Sequence, residues 1–198
     1  MDMPRPERQT IDGHSLRRFT RAEYERLVEL GVIGEDEKVE LVFGMLVAMS
    51  PIDQAHNEST RRIFRALDRQ LNDRATVYAQ GPFVASEESE PEPDCYVVPT
   101  TLDPWRERPA RAYLVVEVAR SSLAYDRGTK AFLYGMSDVD EYWIVDHVHG
   151  TVEVRRDRED GEWRTVTIHQ RGEVISMRAF PDVQIAVGEI LPPVSGAD

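Results

Sequence analysis

The sequence predicts an α/β fold in which a mixed (α+β) sheet is covered by helices. Three observations carry this. Apolar β-rich runs interleave with amphipathic segments, the pattern of a layered sheet protein. One run, Ala112–Ala119 (AYLVVEVA), is apolar on both faces and reads as a buried central strand. The chain has 198 residues, a one-domain length that buries roughly 70% of its unfolded surface and folds without disulfides or metal.

The elements follow in order. Residues 1–15 read as a polar leader and 194–198 as a tail, around a single domain over 16–193. Thr20-Arg21-Ala22-Glu23 is a capping box, in which each side chain accepts from the other residue's backbone N–H. Tyr24, Leu27 and Val28 follow at helical spacing until Gly31 ends a short helix. Val39–Met49 (VELVFGMLVAM) is β-rich and bends at Gly44 into a hairpin closed by Ser50-Pro51. Over Asp53–Leu71, Ile63, Leu67 and Leu71 recur at i, i+4 and i+8 beside Phe64. Arg61, Arg62, Arg65 and Arg69 occupy the other faces, so this is an amphipathic helix. Thr76–Val84 reads as a strand, Ser86–Glu92 as an acidic hinge and Asp94–Val98 as a short strand. Pro99, Pro104 and Pro109 bound a loop before Ala112–Ala119. A helix starts at Asp126 and reaches Gly135, Glu141–Asp146 (EYWIVD) is a strand, and Gly150 leads into paired strands Thr151–Arg155 and Trp163–His169. Short apolar pieces over Ile175–Leu191 end at Pro192-Pro193.

Lys and Arg number 24 against 36 Asp and Glu, a net charge of −12. That excludes a general nucleic-acid coat or membrane-surface binder, which would be basic, but allows an enzyme with a local basic rim. Cys95 is the only cysteine, so an intrachain disulfide and a cysteine zinc cluster are both excluded. The first residues lack the apolar stretch of a signal peptide, and no run is long enough to span a bilayer. The expectation is a cytoplasmic protein with no membrane partner. There is no P-loop or G-x-G-x-x-G, and Ser121 and Ser122 lack the G-x-S-x-G context of a hydrolase nucleophile.

Glu117 resists a purely structural explanation. Alternation puts Tyr113, Val115, Glu117 and Ala119 on one face and Leu114, Val116 and Val118 on the other. An unpaired carboxylate buried in a central strand costs several kcal/mol, so it persists where a cation, a metal or hydrogen bonds compensate. The plain alternative is a strand-end Glu that reaches solvent or an Arg. Asp94 opens its strand behind the rigid Pro93 and shares a face with Tyr96 and Val98. If the two strands are neighbours, Asp94 and Glu117 converge on one divalent cation, since Mg²⁺ takes one or two carboxylates together with phosphate oxygens. Taken alone, Asp94 reads equally as the last acid of the run Glu87, Glu88, Glu90, Glu92.

Asp126, Lys130 and Tyr134 fall at i, i+4 and i+8 on one helix face. Lys130 suits a phosphate or an attacking water, or is a solvated lysine. Asp126 reads better as an N-cap. Glu40, at the start of the hairpin, and His56, on the first turn of the long helix, reach the same site from the other side or are structural. His147 and His149 beside Asp146 suggest a metal pair, but the Gly150 turn makes a hairpin end the better reading. Cys95 reads as a small buried residue.

Glu40-Leu41-Val42-Phe43-Gly44, Ser50-Pro51 with His56, Glu92-Pro93-Asp94, Glu117-Val118 before Ser121-Ser122, Tyr125-Asp126-Arg127 with Lys130, and Glu141–Asp146 occur in that order. In this combination the chain resembles the Uma-type family of restriction endonucleases within the PD-(D/E)XK nuclease superfamily, from Arg18 to Pro193. The resemblance implies a restriction-endonuclease-like core, with the N-terminal helix and hairpin added to it. It also implies a divalent cation, Mg²⁺ or Mn²⁺, and phosphodiester hydrolysis, with Asp94 as the PD aspartate and Glu117 as the following acid. One departure stands out. The superfamily lysine would fall two residues after Glu117, where this chain has Ala119. The resemblance suggests that Lys130 supplies it from the next helix.

The expected function is therefore a metal-dependent nuclease acting on nucleic acid, DNA before RNA. Asp94 and Glu117 are the metal ligands, Lys130 and Glu40 complete the catalytic set, and His56, Asp126 and Tyr134 are secondary. The acidic surface predicts weak binding to nucleic acid unless Arg61, Arg62, Arg65 and Arg69 form a rim, and specificity that depends on a homodimer or partner. The rival is a non-catalytic nucleic-acid or protein-binding module retaining the nuclease fold, and Ala119 is the feature that favours it.

Overall fold

The computed structural model describes residues 10–12, 14–34, 36–49, 53–101 and 106–193. Residues 1–9 of the expected leader, Ser50-Pro51, Pro104 and the 194–198 tail lie outside the described residues. Within the leader, Thr10–Ile11 pairs antiparallel with His14–Ser15.

Helix α1 (Arg21–Glu29) forms for the reason its sequence gives. Glu23 N donates to Thr20 Oγ1 at 3.3 Å and Thr20 N to Glu23 Oε2 at 2.9 Å, so both ends of the capping box are made. Its buried Tyr24 donates a hydroxyl hydrogen bond of 3.0 Å to the Val39 carbonyl, pinning the helix to the hairpin that follows. That hairpin pairs β1 (Val39–Val42) with β2 (Met45–Ala48). Its two-residue turn, Phe43-Gly44, has φ of 49° and 76°, the left-handed pair of a type I′ turn. A Cβ on Gly44 would also collide with that of Arg18. Helix α2 (Gln54–Leu71) begins at Asp53, whose carboxylate accepts from His56 N at 2.8 Å.

Six strands make the central sheet: β3 (Thr76–Ala79), β4 (Cys95–Val98), β5 (Leu114–Ala119), β6 (Tyr142–Asp146), β7 (Thr151–Glu159) and β8 (Glu162–Gln170). Their spatial order, β3-β4-β5-β6-β7-β8, is also their chain order. Every pair is antiparallel except β5–β6. That parallel pair needs a crossover, which is supplied by α3. This helix comprises Leu123–Tyr125, a π-helical turn over Asp126–Lys130, and Ala131–Met136.

Each sheet face has its own core. On one, Ile63, Leu67 and Leu71 of α2 pack over Leu114, Val116 and Val118, joined by the antiparallel pair Val174–Ser176 and Gln184–Ala186 and the turn of helix Val187–Ile190. On the other, Ala131 and Tyr134 of α3 cover Tyr96, Val115, Ala119, Tyr142 and Ile144. All six residues of β5 are buried, as expected of a central strand. Glu141 is fully buried but satisfied: Arg156 Nε and Trp143 Nε1 each donate to its carboxylate at 2.8 Å, and Arg178 N does so at 2.7 Å.

Four boundaries differ from the expectation. Tyr113 does not share the face of Glu117, because Arg111–Ala112 leaves β5 to pair with Asp138–Val139. Tyr113 instead stacks edge-on against Phe180, with ring centroids 5.4 Å apart. Strand β3 stops at Ala79, where Gln80 turns to φ 50°. The β7–β8 hairpin extends beyond its apolar residues to a tight turn at Asp160-Gly161 (φ 51° and 85°). Helix α3 begins at Leu123, so Asp126 is not its N-cap but an internal residue accepting from Ser122 Oγ at 2.7 Å. Among the described residues no helix is long and apolar enough to cross a membrane.

Candidate active site

The ends of β4 and β5, the first turn of α2, the hairpin and α3 surround a cleft of about 560 Å³. The antiparallel register pairs Cys95 with Val116, which sets Asp94 across from Glu117 at the strand ends. Asp94 is held from two sides: Val118 N donates to its Oδ2 at 2.7 Å, and His56 Nε2 at 3.1 Å. Its own N–H makes a long contact of 3.4 Å with Glu117 Oε2. The two acids thus converge, as alternation along their strands predicts.

Lys130 enters from α3 and is buried, 4% exposed. Its Nζ donates to Glu40 Oε2 at 2.6 Å and to Glu117 Oε1 at 3.2 Å. Tyr134, one turn on, donates to the same Glu117 oxygen at 2.7 Å. Lys130 and Tyr134 therefore share a helix face directed at Glu117. Glu40 reaches Lys130 from the hairpin and also accepts from Glu92 N at 3.1 Å. Asp126 lines the cleft with its carboxylate turned back to Ser122.

The charges explain one another. Burial pushes the Glu117 carboxyl up to about 8, Lys130 opposes the rise, and Asp94, Asp126 and Glu40 add to it. Burial likewise lifts Asp126 to about 6. Burial works against the Lys130 ammonium, but Glu117 and Glu40 outweigh it and hold its pKa above the ordinary lysine value. Tyr134 is raised well above the usual phenol range by burial and then by Glu117, so it stays a neutral donor.

Two participants escape the sequence reading. Tyr125 donates to Glu40 Oε1 at 3.3 Å, and its ring lies 5.9 Å from Lys130 Nζ. It precedes Lys130 by five residues, a spacing that a π-helical turn brings onto one face and an α-helical count does not. Arg120 sits at the mouth of the cleft, paired with the Asp53 cap of α2. The histidine pair separates: His147 Nε2 meets Ser59 Oγ at 2.8 Å, whereas His149 Nδ1 meets Asp146 Oδ2 at 2.7 Å. Cys95 is buried.

A family model described as Uma2, "Putative restriction endonuclease", matches residues 21–188. The chain belongs to the Uma2 family. The match runs from α1 to the last turn of helix and contains every residue of the cleft described above. A solved structure from Anabaena variabilis, titled as a putative nuclease belonging to DUF820, is similar to this Uma2 chain with a TM-score of 0.69. It covers 87% of this chain and 97% of the other at 13% identity, a likeness of fold. No curated protein matches. The family's description names an endonuclease, a class that acts on nucleic acid, and restriction-endonuclease-like proteins usually use divalent metals.

The residues fit such an ion in one particular way. Among the described residues no three Asp, Glu, His or Cys side chains are arranged to hold a metal. Asp94 and Glu117 nonetheless stand side by side, and the bonds to Asp94 go to Oδ2, leaving Oδ1 without a protein donor among the described residues. Two hard carboxylates with spare oxygen capacity suit a magnesium-type ion that takes its remaining ligands from water and substrate phosphate.

Proposed function

We propose that this chain is a divalent-metal-dependent nuclease that hydrolyses phosphodiester bonds, preferentially in DNA, with Asp94 and Glu117 holding the cation. The observation that carries the reading is Lys130, a buried ammonium 3.2 Å from Glu117 although the strand position two residues beyond that acid is Ala119. Asp94 and Glu117 would hold Mg²⁺ or Mn²⁺, which would supply Lewis acidity and offset charge on the scissile phosphate.

The chain's own groups divide the remaining work. Two of the three Lys130 donors go to Glu40 and Glu117, leaving one for a phosphate oxygen or the attacking water. Glu40 is a positioning residue whose oxygens are committed to Lys130, Glu92 N and Tyr125. Tyr134 fixes the Glu117 carboxylate and His56 that of Asp94, so each acid is oriented by a donor behind it. Ala119 supports the non-catalytic reading, whereas the ammonium in contact with Glu117 supports the catalytic one.

The test is Mn²⁺-dependent cleavage of plasmid DNA by wild type, Asp94→Ala, Glu117→Ala and Lys130→Met. The acid variants should lose at least about 100-fold in rate and Lys130→Met about 100- to 1000-fold, the scale of a lost electrostatic stabiliser. Equal cleavage by all four proteins would reject these assignments.

A further inference from the structure

Most arginines of this protein are spent on its own acids. Arg61 and Arg62 both hold Glu58, each at 2.7 Å. Arg74, Arg111, Arg127, Arg156 and Arg178 pair with acids in the same manner. Arg65 and Arg69 differ. Both are exposed, and among the described residues neither makes a hydrogen bond or an ion pair.

Their placement is specific. Arg61, Arg65 and Arg69 recur every four residues, a ridge about 12 Å long on the outer face of α2 at 1.5 Å per residue. The opposite face, with Ile63, Leu67 and Leu71, is buried against the sheet and fixes the direction of the ridge. The helix begins at the cleft, where Asp53 and His56 form part of the wall. The ridge therefore leads away from the candidate active site. Asp68 and Glu189 border the same depression, and Glu58 neutralises its Arg61 end, so the cationic character concentrates on Arg65 and Arg69.

We propose that the Arg65–Arg69 ridge of α2 is the track that binds the phosphodiester backbone of nucleic acid flanking the bond held in the cleft. The choice of polyanion rests on the nuclease reading. A guanidinium stays charged at every accessible pH, offers a planar fork to phosphate and is weakly hydrated. Neutralising backbone phosphates dominates nucleic-acid affinity, and a chain of charge −12 has few cations left for it. Evenly spaced guanidiniums suit a polymer of evenly spaced anions.

The experiment measures binding of a fluorescent DNA duplex by anisotropy over a potassium chloride series in EDTA, where cleavage does not intervene. Replacing both Arg65 and Arg69 by Ala should reduce the slope of log K against log salt by about 1.8, two phosphate contacts at about 0.9 each. Each single variant should lose about half of that. Glu58→Gln, which releases Arg61 and Arg62, should tighten binding. A circular dichroism melt of the double variant controls for folding and should match wild type, since both side chains are exposed. An unchanged slope, or a wild type that binds no DNA at any salt, overturns the assignment. The two readings fail separately. Asp94- and Glu117-dependent cleavage with an unchanged slope rejects the ridge alone, whereas a reduced slope in a protein that never cleaves rejects the nuclease alone.

Discussion

Lys130 keeps its charge inside the protein because two carboxylates hold it, and that arrangement governs what the surrounding acids can do. Only the position of the ammonium matters to a phosphate, not the backbone segment from which it comes. On the proposed nuclease reading, Ala119 in the strand and Lys130 in the helix are one exchange, with the strand position buried in the core. The same cluster makes stability depend on pH. Glu117 is raised to about 8 and Asp126 to about 6, from ordinary values of 4.5 and 3.8, so the folded state binds these protons more tightly than the unfolded chain. Their stabilisation is complete below the ordinary values and is lost as pH rises first through about 6 and then through about 8. Thermal melts in EDTA should therefore show stability falling across this window. Glu117→Gln, which still accepts from Lys130 and Tyr134, should flatten the upper part of the fall. Its stability relative to wild type should rise as pH passes through about 8. A variant that follows the wild-type curve would show that Glu117 does not titrate there.

Among the elements, the β1–β2 hairpin and α3 matter most because together they deliver Glu40 and Lys130. The hairpin depends on its turn. Gly44 has φ 76°, and a Cβ there meets Arg18, so Gly44→Ala combines backbone strain with a collision. We expect a loss of about 2 kcal/mol in urea unfolding. Cleavage should fall further than the unfolded fraction explains, because Glu40 would shift relative to Lys130. Full activity in the folded fraction would show that the site tolerates a displaced hairpin. Helix α3 departs from the helical count at the place where it meets the acids. Its π-helical turn brings Tyr125 beneath Lys130, while Asp126 bonds within the helix to Ser122.

For the whole molecule, the sheet was legible because its strands are short apolar runs taken in chain order, with the single parallel step at the one helical passage between them. The convergence of Asp94 and Glu117 was legible for the same reason: alternation assigns their faces, and pairing of the strands brings the faces together. Other features depend on atoms distant in sequence. Nothing near Tyr113 signals that Arg111–Ala112 would leave to pair with Asp138–Val139 and turn its ring toward Phe180. Glu40 and Lys130 are 90 residues apart, and their contact follows from docking the hairpin against α3, which no local pattern encodes. Asp126 has the chemistry of a cap but lies inside its helix, which starts at Leu123, a partly buried residue packed against the same core as Ala131.

The hairpin belongs to none of the six strands of the central sheet. It is anchored by Glu90 N to Leu41 O at 2.7 Å, Gly44 N to Glu88 O at 2.6 Å and Phe43 N to Ser89 Oγ at 2.9 Å, together with the Tyr24–Val39 bond and the Glu40–Lys130 pair. None of these bonds belongs to the main ladder, so an opening of the hairpin would leave the ladder intact and would expose the inner wall of the cleft. In native-state hydrogen exchange, the Leu41 and Val42 amides should exchange well ahead of Val115 and Val116. Equal protection would mean that hairpin and sheet open together. The wall that holds the buried lysine in place is thus built apart from the ladder that holds the sheet together.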